Sequence, residues 1–481
     1  MKKIFTLACL ASAAMAMNAQ SAFNVSPDYY NFNESEGTTL SLLGERMAAN
    51  GNYVAGMDQQ NMVPFVWNTT NGEVSLLVLS DKGVEYIWND DYSEVIGTEE
   101  MDYPRSGSFH AVSDNGIAVG GTTNQVTYVT YPCLYNMETG EYTELVCDEG
   151  IDWEGNPMVL GAEAYGISAD GKVVAGFRFQ EDGWNVQGCV WTDGGKTRTD
   201  LPNPAAEELG VAIDYASARG ISADGNVVWG YCQDANTGSW VACHWTKNDE
   251  GVYEGHSWAS KYYQTTILDE ETWEPIPVEN PNPWHSFEPV AMSENGEWMT
   301  LVLTKEVALG PWDQACNYAG RLNLKSGELE VLDMGQDAEG NDITGPELFG
   351  ISNDGTCVGR LSSTFIDWEN EIYEELMDAV IWPAGAGNIV KLQTLMADDE
   401  YAQTWEASAL SFISGDGKQL MGYAADDMGI QTTFVVNTPN LTGIHGISAD
   451  LTEGITFDLT GRRVENAQKG FFIVNGKKVI R

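Results

Sequence analysis

The chain has 481 residues with 24 basic against 71 acidic side chains, a net charge of −47, so its surface repels nucleic acid and anionic membrane. Aromatic content of 11% with 51 glycines, and few Leu/Ala-rich runs, favours short strands joined by tight turns; the expected fold class is all-β. The cysteines form no CxxC pair, which leaves structural zinc and thioredoxin chemistry without support, and His110, His244, His256, His285 and His445 lack metal-binding spacing, so no metal or cofactor is expected.

Met1-Lys2-Lys3, an apolar run over 4–16 and small residues up to Ala19 fit a secretory signal at 1–19. The run is shorter than the ~20 residues of a membrane span, and no later stretch reaches that length. The expected location is secreted, or the outer surface of a Gram-negative bacterium. Loss of Lys2 and Lys3 leaves 22 basic against 71 acidic residues, a net of −49. These carboxylates are dispersed, and no Asp-x-Asp-x-Asp-Gly calcium loop appears. Seven cysteines remain beyond the signal, an odd number; Cys232 and Cys243 are the pair placed for a disulfide.

Residues 20–37 read as an N-terminal extension, and 38–440 as a repeat array. The repeat is plainest at Gly166-Ile167-Ser168-Ala169-Asp170-Gly171-Lys172-Val173-Val174-Ala175-Gly176 and returns 54 residues later, from Gly220 to Gly230. Other copies place the turn pair at Asn50-Gly51, Asn115-Gly116, Asn295-Gly296, Asp354-Gly355 and Asp416-Gly417. Alternating apolar residues flank each pair, which predicts a hairpin with positive φ in a two-residue turn. The Ser two residues earlier (Ser113, Ser168, Ser222, Ser293, Ser352, Ser414) is placed to bond local backbone. A glycine five residues past the turn, at Gly56, Gly121, Gly176, Gly230 and Gly422, predicts a bulge or close backbone approach.

A third strand with a bulky residue follows, as in Cys189-Val190-Trp191 and Cys243-His244-Trp245, then a short fourth strand, as over 196–201. Four antiparallel strands at this period predict a β-propeller, most simply of seven four-stranded blades, or eight if the segment around Ile87-Trp88 is a further hairpin. Residues 39–43 are the expected donor of the closing strand in the last blade. These motifs resemble the HAF-type extracellular repeat, in which Gly-Ile-Ser-x-Asp-Gly-x-Val-Val-Gly precedes an Ala-Phe-x-Trp-like strand. The resemblance covers about 46–437 and implies an exported repeat fold without implying an activity.

Residues 441–481 form a separate tail whose charge turns basic. Ile455-Thr456-Phe457-Asp458-Leu459-Thr460-Gly461-Arg462 and Lys469-Gly470-Phe471-Phe472-Ile473-Val474-Asn475-Gly476 predict alternating strands and a hairpin. The tail is similar to a type IX secretion sorting signal, with Phe472 at the usual Tyr, which implies the secretion machinery as a partner.

Ser168 and Ser222 lack the second glycine of Gly-x-Ser-x-Gly and recur as no nucleophile would. The Asp-Gly pair is also unlike a sialidase Asp-box. The distinctive segment is 256–288, whose Trp258, Tyr262, Tyr263, Trp273, Trp284 and His285 are the candidate ligand-binding residues, since aromatic faces on a loop stack on sugars or hold a protein. A second insertion, 365–377, with Trp368 and Tyr373, reads as a short exposed helix or lid. The expected function is a monomeric, non-catalytic propeller binding glycan or protein through loops on one face. The alternative is a polysaccharide hydrolase or lyase with its site at the central mouth.

Overall fold

The computed structural model describes residues 42–437, apart from 90, 92, 152–154, 156, 236, 264–265, 269–274, 278–281, 283, 310–311, 337–341, 368–371, 396–405 and 426–430, together with Phe23–Val25, Thr456–Phe457, Phe471–Val474 and Lys477–Ile480. The signal at 1–19, Trp273, Trp368 and most of the tail lie outside the described residues.

Among the described residues strand pairing forms four separate antiparallel four-stranded sheets and one 12-stranded sheet, in which three groups of four antiparallel strands are joined by single parallel bridges; these seven groups are numbered as sheets in chain order. The first consists of Leu42–Met47, Tyr53–Asp58, Val63–Asn68 and Val74–Leu76, and the second of Ser106–Val112, Ile117–Thr123, Thr130–Asn136 and Glu141–Glu144. The third holds Ala162–Ile167, Val174–Phe179, Val186–Thr192 and Thr197–Asp200; the fourth, Ile213–Ile221, Val227–Asp234, Trp240–Lys247 and Tyr253–His256. The fifth holds Ser286–Met292, Trp298–Leu309, Trp312–Asn323 and Glu328–Val331; the sixth, Glu347–Ile351, Cys357–Asp367, Ile372–Trp382 and Val390–Lys391. Glu406–Ile413, Gln419–Ala425 and Gln431–Asn437 form the seventh, whose fourth strand is Phe23–Val25 from the N-terminal side.

The first strand of each sheet contacts the first strand of the next, and the first strand of the seventh contacts that of the first. Hydrogen bonds also join the first sheet to the second and third strands of the seventh: Gly44 N–H donates to Thr433 Oγ1 at 2.9 Å, and Tyr423 O–H to the Gly44 carbonyl at 2.7 Å. Single parallel bridges, Gln187 to Ala216 and Val241 to Phe287, tie the third, fourth and fifth sheets. The fold is a β-propeller.

Apolar alternation places the core between sheets, where Trp191, Trp245 and Trp382 on third strands are almost fully buried. Their indole N–H groups donate to the carbonyls of Val146, Pro202 and Ala386, so a large apolar side chain is buried without stranding its polar atom.

The turns differ from the two-residue turn expected. Gly171 has φ +76° while Asp170 stays out of the positive region, Gly171 N–H bonds Ser168 C=O, and the hairpin closes with Ser168 N–H on Val173 C=O. This is a β-turn followed by a left-handed glycine. Ser168 Oγ locks it, donating to Asp170 Oδ1 at 2.8 Å and accepting Val173 N–H at 3.0 Å; Ser222, Ser293 and Ser414 do the same.

Three other expectations are corrected. Residues 42–43 belong to the first sheet, and the strand donor is Phe23–Val25, which pairs with Phe434–Val436. The described residues of the insertion at 365–377 are strand rather than helix: Cys357–Asp367 and Ile372–Trp382 continue pairing out to Asp367 and Ile372, where β-branched and aromatic residues suit a ribbon. The segment around Ile87 is a separate two-stranded ribbon, Ser80–Trp88 with Val95–Pro104, and most of its side chains are exposed. Cys232 and Cys243 are both buried thiols, with Sγ atoms 3.3 Å apart. In the tail, Thr456–Phe457, Phe471–Val474 and Lys477–Ile480 pair as a small antiparallel sheet.

Candidate functional site

Each first strand carries a bulge three residues before the position of the repeat's Ser. Pairing skips Glu45 in the first sheet, His110 in the second, Tyr165 in the third, Arg219 in the fourth, Val290 in the fifth, Phe349 in the sixth and Ser411 in the seventh. A bulged residue leaves the pleat and is re-aimed. All seven side chains line one central cavity of about 570 Å³, within the range of small-molecule sites.

The repeat's glycine makes the bulge possible. A Cβ on Gly176 would stand 2.0 Å from the Glu163 carbonyl oxygen, and one on Gly230 1.9 Å from that of Ser217. In the second sheet Gly120, not Gly121, fills this role, because its turn closes one residue earlier, on Ile117.

The cavity is two-sided. Val290 and Phe349 give an apolar sector, while Glu45, His110, Tyr165 and Arg219 form a continuous polar one. His110 Nδ1 is 2.5 Å from Glu45 Oε2 and Nε2 is 2.9 Å from Glu163 Oε1. Burial lowers the His110 pKa, but hydrogen bonds to Glu163 and Glu45 and their charges outweigh it, and the imidazole is raised to about 9. It is therefore a cation at neutral pH. Tyr165 stacks on it, with ring centres 4.5 Å apart, and donates its O–H to Glu163 Oε2.

The Arg219 guanidinium carbon lies 4.3 Å from the Tyr165 ring centre, 5.0 Å from Tyr231 and 5.6 Å from Phe177. Its Nη2 donates to Tyr231 O–H at 2.6 Å. Tyr231 in turn stacks on Trp240 at 4.5 Å, and Trp240 is 43% exposed, so the polar sector ends in an open aromatic shelf.

Turns also border the cavity. Asp114 N–H donates to Ala169 C=O, Ala169 to Ala223, Ala223 to Glu294, and Asn353 to Gly415; Ala49, Ala169, Ala223 and Glu294 line the cavity. Burial raises the Glu294 carboxyl to about 7, helped by Asp114 and Asp416, against the Gly415 N–H and Arg46, which lower it.

The residues anticipated from sequence sit elsewhere. Trp258 donates its indole N–H to Leu324 C=O and Tyr262 its O–H to Gly327 C=O, which ties 256–263 to the fifth sheet. Tyr263 is 1% and Trp284 9% exposed, Trp284 packing edge-on to Tyr318. His285 is half-buried and donates its backbone N–H to Thr304 C=O. None of these five lines the central cavity. His244 is also buried, which holds its pKa down at about 3 and the ring neutral. Among the described residues no cluster of three or more His, Cys, Asp or Glu is placed to hold a metal ion.

No protein-family model matches the chain, and no curated protein does. Solved structures with a similar trace include Kuenenia stuttgartiensis hydrazine synthase, 12% identical, covering 85% of this chain and 99% of that one with a TM-score of 0.41. The β-propeller domain of the Trilobed protease from Pyrococcus furiosus is 10% identical, with 82% and 93% covered and a TM-score of 0.40. A PL25 ulvan lyase is 13% identical, with 58% and 69% covered and a TM-score of 0.31. The propeller assignment rests on the strand pairing, and no activity carries over from these proteins.

Proposed function

We propose that this chain is an exported, non-catalytic propeller that binds a glycan in the polar sector of its central cavity, with a sugar ring on the Tyr231–Trp240 shelf. The observation that carries this reading is the line from His110 through Tyr165 and Arg219 to Trp240, in which charged and aromatic groups meet at a cavity of ligand size. An exposed indole beside directional hydrogen-bonding groups suits a sugar, which has apolar ring faces and hydroxyl edges. Both His110 nitrogens and the Tyr165 hydroxyl are engaged by carboxylates, which supports binding over proton transfer.

The signal-like residues 1–19 support export, and the HAF-like repeat and type IX-like tail support a bacterial surface or secreted setting. An exported form whose first residue is Met1 would contradict cleavage of the signal. For the site, a glycan array followed by titration of the strongest ligand should show Trp240→Ala weakening binding by about tenfold or more. The bound glycan should keep its chain length on prolonged incubation; shortening would move the assignment to a hydrolase or lyase.

A further inference from the structure

We infer that the glycan carries a planar carboxylate and that the Arg219 guanidinium reads it; the inference rests on the glycan reading above and narrows its ligand class to uronate-containing sugars.

Among the described residues five other arginines are committed to carboxylates, while Arg46, which lines the same cavity, instead lies with its guanidinium carbon 5.0 Å from the Phe412 ring centre. Arg105 pairs with Asp81 and Glu144, Arg178 and Arg198 with Asp148 and Asp200, Arg321 with Glu330, and Arg360 with Glu347. Among the described residues no carboxylate lies within 4.0 Å of the Arg219 guanidinium nitrogens. Its Nη2 donates to the neutral hydroxyl of Tyr231, and the Tyr165 ring faces the guanidinium. Glu163, whose carboxylate feels the Arg219 charge, already accepts from His110 and Tyr165.

A guanidinium has five N–H donors in a fixed fork, so the bond to Tyr231 leaves several for a ligand. Tyr165, Tyr231 and Phe177 rings lie around it and hold its orientation. A preoriented fork at a cavity wall matches a carboxylate bidentately, which a point-charge ammonium does not. The shelf is adjacent, since Tyr231 touches both Arg219 and Trp240. In the proposed complex a pyranose ring packs on the Tyr231–Trp240 shelf with its carboxylate toward Arg219.

The test is calorimetric titration of the full protein with uronate trisaccharides (galacturonate, glucuronate and mannuronate), their methyl esters, and a sulfated galactan trisaccharide. Wild type should bind at least one acid about tenfold more tightly than its ester. Arg219→Lys, which retains the charge, should bring acid and ester to within about twofold, with an unchanged melting temperature showing that it folds. Trp240→Ala should weaken acid and ester alike. Equal binding of acid and ester by wild type, an undiminished preference in Arg219→Lys, or tighter binding of the sulfated sugar would overturn the carboxylate assignment and leave the glycan reading standing. Failure of every sugar to bind would overturn both.

Discussion

Tyr165 and Arg219 stand 54 residues apart, one repeat length, and their side chains stack with the guanidinium carbon 4.3 Å from the ring centre. Each is the unpaired residue of its own sheet's bulge. The repeat therefore acts as a device for presentation: the same backbone irregularity delivers a different side chain from each sheet to one cavity.

His110 supplies a test by pH. Its folded-state pKa of about 9 lies above the ordinary value of 6.5, so the stabilisation is complete below about pH 6.5 and is lost as pH rises through about 9. The difference is worth about 3 kcal/mol. Thermal melts from pH 6 to pH 10 should show wild type losing stability across this window, and His110→Gln should remove most of that slope. A slope unchanged in His110→Gln would mean that other groups carry it.

Gly176→Ala should destabilise by about 3 kcal/mol, because its Cβ would meet the rigid Glu163 carbonyl at 2.0 Å. Gly387→Ala, with no atom within 4 Å, should change stability by less than about 0.5 kcal/mol. Denaturant unfolding of the two variants compares them directly, and equal midpoints would show that the bulge tolerates a side chain.

Phe23–Val25 supplies the edge strand of the seventh sheet. Deleting residues 20–37 from the exported protein should lower the melting temperature by roughly 3 °C or more. An unchanged melting temperature would show that the last sheet is stable with three strands.

Ser168→Ala and Ser222→Ala each remove a turn lock and should cost about 1 kcal/mol. The two turns are joined by the Ala169 N–H to Ala223 C=O bond, so the double variant should depart from additivity by about 0.5 kcal/mol or more. Glycan binding should persist in both single variants; its loss with retained stability would make these serines part of the site.

The scaffold was legible because its chemistry repeats. Ser168, Asp170, Gly171 and Gly176 recur in kind, since turn geometry and close backbone approach accept few residue types. The site was hidden for the opposite reason. Three residues before each repeat Ser, or before Ala48 in the first copy, the chain reads Glu45, His110, Tyr165, Arg219, Val290, Phe349 and Ser411, so the position recurs while the residue type does not. The glycine signal pointed to a bulge, and aligning the copies on their serines would have located the residue it displaces. The aromatics of 256–288 drew attention by composition, which cannot separate an exposed ring from Tyr263, buried to 1%. Phe23–Val25 is too short to carry a period of its own.

The most direct test of the central claim is a crystal structure of the protein with the strongest glycan found on the array. The account predicts sugar density in the cavity between His110, Tyr165 and Arg219, with one ring against Trp240. Density only on an outer face of the sheets, with the cavity free of sugar, would contradict it.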